Sequence, residues 1–279
     1  MLRIAIPNKG MLAEASISML TESGYVVRRD PKELIVQDPA NDVEFFYLRP
    51  RDIATYVGSG ALDIGITGRD LLVDSGSEAI EISDLEFGPS TFRFAGPIGK
   101  FKDVVDLTGL RIATSYVGLV RAFLIKHNVS AEIIALDGAV ESAVRLGVAD
   151  AVADVVSTGT TLKQQGLEAF GPTLLESSAV LIGADPSVPG VATFERRMRG
   201  VLVARRYVLM DYDLPARLIE AATKITPGLE SPTISPLKDG EWVAVRVLVP
   251  RAEMNSVMDS LYELGAKAIL VSAVHAARI

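Results

Sequence analysis

Two stretches of this chain begin alike and then pass through the same signals in the same order. Arg3-Ile4-Ala5 is followed by Gly10, and Arg111-Ile112-Ala113 by Gly118 at the same spacing. Further on, Gly60-Ala61-Leu62-Asp63 leads through a strand-like run to Thr67-Gly68. Gly147-Val148-Ala149-Asp150 leads through a longer one to Thr158-Gly159. Each match is short, but the shared order implies two similar α/β lobes side by side, the first carrying extra strands around residues 28–48. Between the matched signals, short β-rich runs alternate with helix-like stretches, the pattern of βαβ units and a largely parallel sheet. Ligands of such lobes bind outside the carboxyl ends of the strands, which for two lobes means the cleft between them.

Strands are expected over residues 2–6, 34–37, 43–48 and 63–67, and helices over 11–23, 50–57 and from 69 onward. The second lobe opens near Thr91, and a strand over 179–183 is expected to return the chain to the first. The first lobe is then discontinuous (1–90 and 179–204) around a second (91–178). From about residue 205 the pattern changes. A strand over 207–210 precedes a helix over 214–225, entered at Asp213 as N-cap with Pro215 at its start. A Pro- and Gly-containing loop over 226–237 hides one short strand. Then come a strand over 242–249, a helix over 252–264 stopped by Gly265, and a strand over 267–273. This βαββαβ order over residues 205–279 is ferredoxin-like, a layout of small modules that pair sheets or bind effectors.

The bulk numbers remove several kinds of chemistry. With 28 Lys+Arg against 35 Asp+Glu the chain is acidic, at −7, and no local basic stripe suits a nucleic-acid backbone. It has no Cys, so thiolate nucleophiles, disulfides and Cys-based metal sites are excluded. Only His127 and His275 are present, so imidazole-rich metal sites are excluded too. Any metal should be a hard cation such as Mg²⁺, held by carboxylates and substrate phosphates. No apolar stretch approaches the ~20 residues of a membrane span. MLRIAIPNKG reads as a strand rather than a secretion signal, so a cytoplasmic location is expected.

The residues with chemistry to offer lie in strand-to-helix turns. In Asp154-Val155-Val156-Ser157-Thr158-Gly159-Thr160-Thr161 a β-run ends in four hydroxyls and a glycine, where a helix leaves its first N–H groups unpaired. That suits a phosphate dianion. Spacing alone leaves open an ordinary Ser/Thr-rich N-cap. Asp154 could accept hydrogen bonds from ribose hydroxyls or orient a hydrated Mg²⁺. Asn8-Lys9-Gly10 follows the first strand and brings Lys9 to the cleft. Arg49-Pro50-Arg51-Asp52 offers two guanidinium groups suited to polyphosphate. Thr67-Gly68-Arg69-Asp70 is the first-lobe counterpart of the Thr158-Gly159 turn, and Asp137-Gly138-Ala139-Val140-Glu141 repeats the arrangement with carboxylates. Solvated turns and caps would explain each one singly; convergence at one sheet end favours a site. No nucleophile–His pair is among them, so triad chemistry is not expected.

These motifs resemble a known family. Residues 1–10, 43–70 (VEFFYLRPRDIATYVGSGALDIGITGRD), 136–161 (LDGAVESAVRLGVADAVADVVSTGTT) and 225–236 (ITPGLESPTISP) are similar to the long form of ATP phosphoribosyltransferase, over the whole chain. The resemblance implies two periplasmic-binding-protein-like (type II) lobes and an ACT-type regulatory domain. It also implies a dimer or hexamer with histidine as inhibitor. The activity implied is the first step of histidine biosynthesis, in which ATP and 5-phosphoribosyl 1-pyrophosphate give N1-(5-phosphoribosyl)-ATP and pyrophosphate, with Mg²⁺. By position, Ser157, Thr158, Gly159, Thr160 and Thr161 would bind the donor's 5-phosphate, and Asp154 and Glu141 its ribose or metal region. Lys9, Gly10, Arg49, Arg51, Asp70 and Tyr116 would serve pyrophosphate and the adenine nucleotide. The histidine pocket would hold Asp213, Leu229, Ser231, Thr233 and Ala268. One family variant has Gly-Ser-Gly-Arg-Thr where this chain has Ser-Thr-Gly-Thr-Thr, so an Arg there has no counterpart. Lys is common in the family where Arg51 stands. The implied nucleophile, adenine N1, carries no proton, so positioning and preorganised charge would be the main catalytic terms. Rival readings are a two-lobed solute-binding or sensory module, and a phosphoribosyltransferase for another base.

Overall fold

Fully apolar runs become buried strands, and each is followed by a turn and a helix that covers it. The structure, a computed structural model, describes residues 1–28, 30, 32–156, 160–238 and 240–278, with the backbone alone at Thr160 and Thr161. The chain divides into two units, Met1–Glu195 and Arg196–Ile279. The first half of unit one runs β1 (Leu2–Pro7), α1 (Met11–Glu22), β2 (Ile35–Asp38), β3 (Val43–Leu48), α2 (Pro50–Gly58), β4 (Ile64–Gly68), α3 (Arg69–Ser75) and β5 (Ile80–Asp84). It continues with β6 (Ser90–Pro97), β7 (Arg111–Thr114), α4 (Val117–Lys126), β8 (Glu132–Ala135), α5 (Ser142–Arg145), β9 (Ala151–Val156), α6 (Thr160–Gln164), β10 (Leu167–Ser177) and β11 (Ala179–Gly183).

The strands of unit one form two sheets, in the orders β2-β3-β1-β4-β11-β5 and β10-β6-β9-β7-β8. The chain passes from the first sheet to the second after β5 and returns at β11, as the expected strand over 179–183 required. The sheets are not largely parallel. In the first, β3, β1 and β4 are parallel, but β2, β11 and β5 pair antiparallel. In the second, β9, β7 and β8 are parallel, whereas β6 and β10 are antiparallel. The double crossing accounts for β6 and β11, which arrive from the other sheet and enter in the opposite sense, whereas β2 is antiparallel through its short turn to β3.

The internal repeat has a physical basis. Arg3 donates its backbone N–H to Asp63 Oδ2 (2.7 Å), and Asp63 returns its own N–H to the Arg3 carbonyl (3.0 Å). Arg111 and Asp150 do the same at 3.0 and 2.9 Å. Both arginines add a side-chain contact to the same aspartate. The Arg-Ile-Ala start and the aspartate before the paired strand are thus two halves of one lock, used once in each sheet.

Gly65, in the fully buried strand β4, lets α2 lie against the sheet. An added Cβ would stand 2.7 Å from Ile53 Cγ2, 3.0 Å from Ala5 Cβ and 3.1 Å from Val57 Cγ2. Gly65→Ala is expected to destabilise unit one by about 1–3 kcal/mol through overpacking, read as a lowered denaturant midpoint.

α7 (Val191–Arg206) follows β11. Unit two then holds β12 (Tyr207–Pro215), α8 (Ile219–Ile225), β13 (Thr233–Pro236), β14 (Trp242–Pro250), α9 (Met254–Leu264) and β15 (Lys267–Ala273). The βαββαβ order is as expected, and the sheet is antiparallel in the order β13-β14-β12-β15. One expectation fails here. Asp213 is no N-cap and Pro215 begins no helix: both lie in β12, which extends five residues past the expected 210. Val208, Met210, Tyr212 and Leu214 are all buried at a period of two, so the strand continues while its inner face still fills the core. The helix starts only at Ile219, after a short 3₁₀ turn.

Candidate active site

Residues of three of the expected turns, Lys9-Gly10, Pro50 and Gly68–Asp70, meet at one cavity with the end of β9. A cavity of about 350 Å³ in unit one is lined from the first sheet by Lys9, Gly10 and Asp70, and from the second by Tyr116 and Val155, with Ser177 at its back. Gly10 heads α1 with a φ of 78°, in the left-handed region that favours glycine. Lys9 is exposed and has no hydrogen-bond or ion-pair partner among the described residues, so its charge is available. A second cavity of about 340 Å³ continues past Lys9 to Arg28. Arg28 donates to the Asn8 carbonyl (2.7 Å) and lies 4.4 Å over the Tyr47 ring.

Asp70 opens α3 and is buried. Ser177 Oγ donates to its Oδ1 at 2.8 Å and accepts the Asp70 N–H at 3.0 Å. The Tyr116 hydroxyl meets Asp70 across the sheets. Burial pushes that phenol far above its ordinary pKa, the Asp70 charge and hydrogen bond push further, and Arg51 partly opposes them. Tyr116 therefore stays neutral and serves as a donor. Arg51, on α2, sets its guanidinium 4.8 Å over the Tyr116 ring and pairs with Asp74 at 2.8 Å. The Asp74 carboxylate also accepts the N–H groups of Gly118 (2.8 Å) and Leu119 (3.1 Å) in the first turn of α4.

Asp154, near the end of β9, accepts the Val155 N–H at 2.7 Å. Burial raises its carboxyl above the usual carboxylate value, and the charges of Glu141 and Asp70 add to this. The Val155 hydrogen bond and Arg51 act in the other direction. Glu141 sits at the N-cap of α5 with no side-chain cap bond, and the helix starts at Ser142. Arg49 heads α2, is exposed, and has no partner among the described residues. Lys9, Gly10, Asp70, Tyr116 and Val155 thus share one cavity. Arg51 joins it by stacking, and Asp154 and Glu141 by charge. Arg49 does not line it. Ser157, Thr158 and Gly159 lie outside the described residues; Thr160 and Thr161 begin α6.

The candidate effector residues lie in unit two. Asp213 stands beside Ala244 on one side and Lys267 on the other. Thr233 is on the adjoining edge strand β13, and Leu229 and Ser231 are in the loop before it. Ala268 takes a φ of 48° within β15, where the pairing with β12 shifts register. Asp213 has no hydrogen-bond or ion-pair partner among the described residues, whereas its neighbour Asp211 pairs with Arg246 at 2.7 Å.

Two contributors carried no signal in the sequence. Ser177 meets Asp70 across 107 residues and Asp74 meets Gly118 across 44, so no local spacing reveals them. Arg69, in the turn singled out from the sequence, binds both chain crossings between the sheets. It pairs with Glu81 (2.7 Å) and Asp84 (2.9 Å), and donates to the Glu176 carbonyl (3.3 Å) and Ser178 Oγ (3.1 Å).

Comparison with known proteins agrees with this layout. A family model described as ATP phosphoribosyltransferase matches residues 49–199, and one described as the HisG C-terminal domain matches 204–276. The chain is 60% identical, over the full length of both, to an ATP phosphoribosyltransferase of Paenarthrobacter aurescens (strain TC1). It is 59% identical, again over both full lengths, to one of Arthrobacter sp. (strain FB24). Among solved structures, the ATP phosphoribosyl transferase (HisG:HisZ) complex from Thermotoga maritima superposes with a TM-score of 0.63 at 28% identity. The match covers 71% of this chain and 97% of that one.

Proposed function

The chain belongs to the ATP phosphoribosyltransferase family, and on that premise we propose that ATP and 5-phosphoribosyl 1-pyrophosphate meet in the cleft of unit one. The reaction gives N1-(5-phosphoribosyl)-ATP and pyrophosphate, the first step of histidine biosynthesis. One observation carries the assignment of the site: a half-buried carboxylate, Asp154, stands at the strand end that leads into Ser157–Thr161, with Lys9, a cation unpaired among the described residues, on the opposite sheet.

Adenine N1 attacks the ribose C1. The C1–O bond breaks with its electron pair going to pyrophosphate, and no proton moves. The protein's task is to hold the two substrates in line and to match the charge that develops. Lys9 and Arg49 face the departing pyrophosphate, while Asp154 and Glu141 face the positive charge on the ribose ring. Tyr116, Asp70 and Arg51 form the nucleotide side with Gly10. Ser157, Thr158, Gly159, Thr160 and Thr161 hold the 5-phosphate. Among the described residues no group of three or more acidic or imidazole side chains could hold a metal alone. Asp154 and Glu141 offer hard oxygen donors that fit one side of a Mg²⁺ otherwise ligated by substrate phosphates and water. Bound there, the ion would neutralise pyrophosphate charge.

The two lobes are of periplasmic-binding-protein-like type II architecture, and unit two is an ACT-type module that binds histidine through Asp213, Leu229, Ser231, Thr233 and Ala268. The similarity to the Thermotoga maritima complex supports assembly into an oligomer; a dimer or hexamer of this chain is what the family resemblance implies. None of the helices among the described residues is long and apolar enough to cross a membrane. Within this reading the enzyme is cytoplasmic, and its net charge of −7 argues against nucleic-acid partners. The donor site is tested by Thr158→Val, which removes one phosphate hydroxyl. KM for the phosphoribosyl donor should rise about tenfold with KM for ATP unchanged; equal rises in both would sink the assignment.

A further inference from the structure

The contact between Arg51, Asp74 and α4 has a geometry that neither substrate explains. Asp74 is on α3, Arg51 on α2, and the two amides belong to the other sheet's helix α4. The carboxylate side chain is only 11% exposed, and both of its oxygens are in use: Oδ2 on Arg51 Nη1, Oδ1 on the N–H groups of Gly118 and Leu119. A helix N-terminus favours an anion; here the anion comes from within the protein. The approach is close enough that a Cβ on Gly118 would meet the Asp74 carbonyl oxygen. Asp74 therefore sets three things together: the direction of the Arg51 guanidinium, the Tyr116 ring beneath it, and the place of α4 against α3.

We propose that Asp74 is a positioning residue for the nucleotide side of the cleft, fixing Arg51 over Tyr116 and latching α4 to the first lobe. The kinetic half of this rests on Arg51 serving the nucleotide. Asp74→Asn separates the two bonds: the amide oxygen still accepts from α4, but the amide nitrogen turns a donor toward the Arg51 donors. Asp74→Asn and Arg51→Met should each raise KM for ATP about tenfold, leave KM for the phosphoribosyl donor close to wild type, and show no further rise when combined. An Asp74→Asn enzyme with wild-type KM beside an impaired Arg51→Met enzyme would overturn the proposal, as would effects that multiply in the double variant. Amide exchange in the free enzyme tests the latch without substrate. Asp74→Ala should speed exchange at Gly118 and Leu119 at least tenfold, and unchanged protection would also overturn the proposal. If Arg51→Met leaves KM unaltered while Asp74→Ala opens those amides, the latch stands and the nucleotide role of Arg51 falls.

Discussion

Replacing Asp154 by Asn lowers kcat for phosphoribosyl-ATP formation by about 100- to 1000-fold and at the same time raises the thermal midpoint. The two effects have one cause. Asp154 is placed to oppose positive charge on the ribose ring, which exists only in the transition state, so its loss falls on kcat more than on either KM. Its carboxyl is raised by burial first and by the Glu141 and Asp70 charges second. The folded protein thus holds that proton more tightly than the unfolded chain does. The stability this gives is fully present below the ordinary carboxylate pKa and is lost as pH rises through the raised value. At neutral pH the ionised carboxylate is a cost to folding, which Asn removes. The same sign predicts that activity climbs with pH as Asp154 ionises, on an acid limb displaced above that of a solvent-exposed aspartate. Initial rates and thermal melts on the two proteins decide the matter. Near-wild-type kinetics would remove Asp154 from the mechanism, and a lowered midpoint would contradict its buried charge.

The second large effect is expected in unit two. Asp213→Ala should raise the histidine concentration for half-inhibition about ten- to a hundredfold without changing the uninhibited rate. Asp213 is a carboxylate unpaired among the described residues, free to take the amino group or imidazolium of a ligand, whereas Asp211 two residues earlier is engaged by Arg246. A direct readout is at hand. The chain has one tryptophan, Trp242, and the ammonium of Lys267, next to Asp213 in register, lies 4.9 Å over its ring. Histidine bound beside Asp213 should disturb that contact and change the fluorescence, and Asp213→Ala should abolish the change. Inhibition and fluorescence that survive the substitution would place the effector elsewhere.

Much of this was legible in the chain because it depends on short range. The strands over 179–183 and 267–273 have the expected limits, since each run begins within two residues of a turn residue, Ser178 and Gly265. The doubled Arg-Ile-Ala and aspartate signals exposed two matching sheets because each pair is one backbone-anchored lock. Asp213 misled because an acidic residue followed by Leu-Pro carries the local signs of a helix start. Only the core packing of Tyr212 and Leu214 keeps it in a strand. The sense of β6 and β11 was hidden for another reason: direction depends on which sheet the chain comes from, not on the residues of the strand. Asp74 and Ser177 were hidden by distance along the chain.

The place of β11 has a consequence for how the protein is made. This strand lies between β4 and β5 in the first sheet, yet it is translated after every strand of the second. On the ribosome, β5 emerges with no neighbour to pair with, because its partner is still about a hundred residues away in synthesis. The second sheet has all five of its strands before β11 appears. The nascent N-terminal lobe must therefore wait, incomplete, for the inserted lobe, and it closes around a finished neighbour. Arg69 can pair with Glu81 and Asp84 early, but it reaches Ser178 only after the return crossing is made.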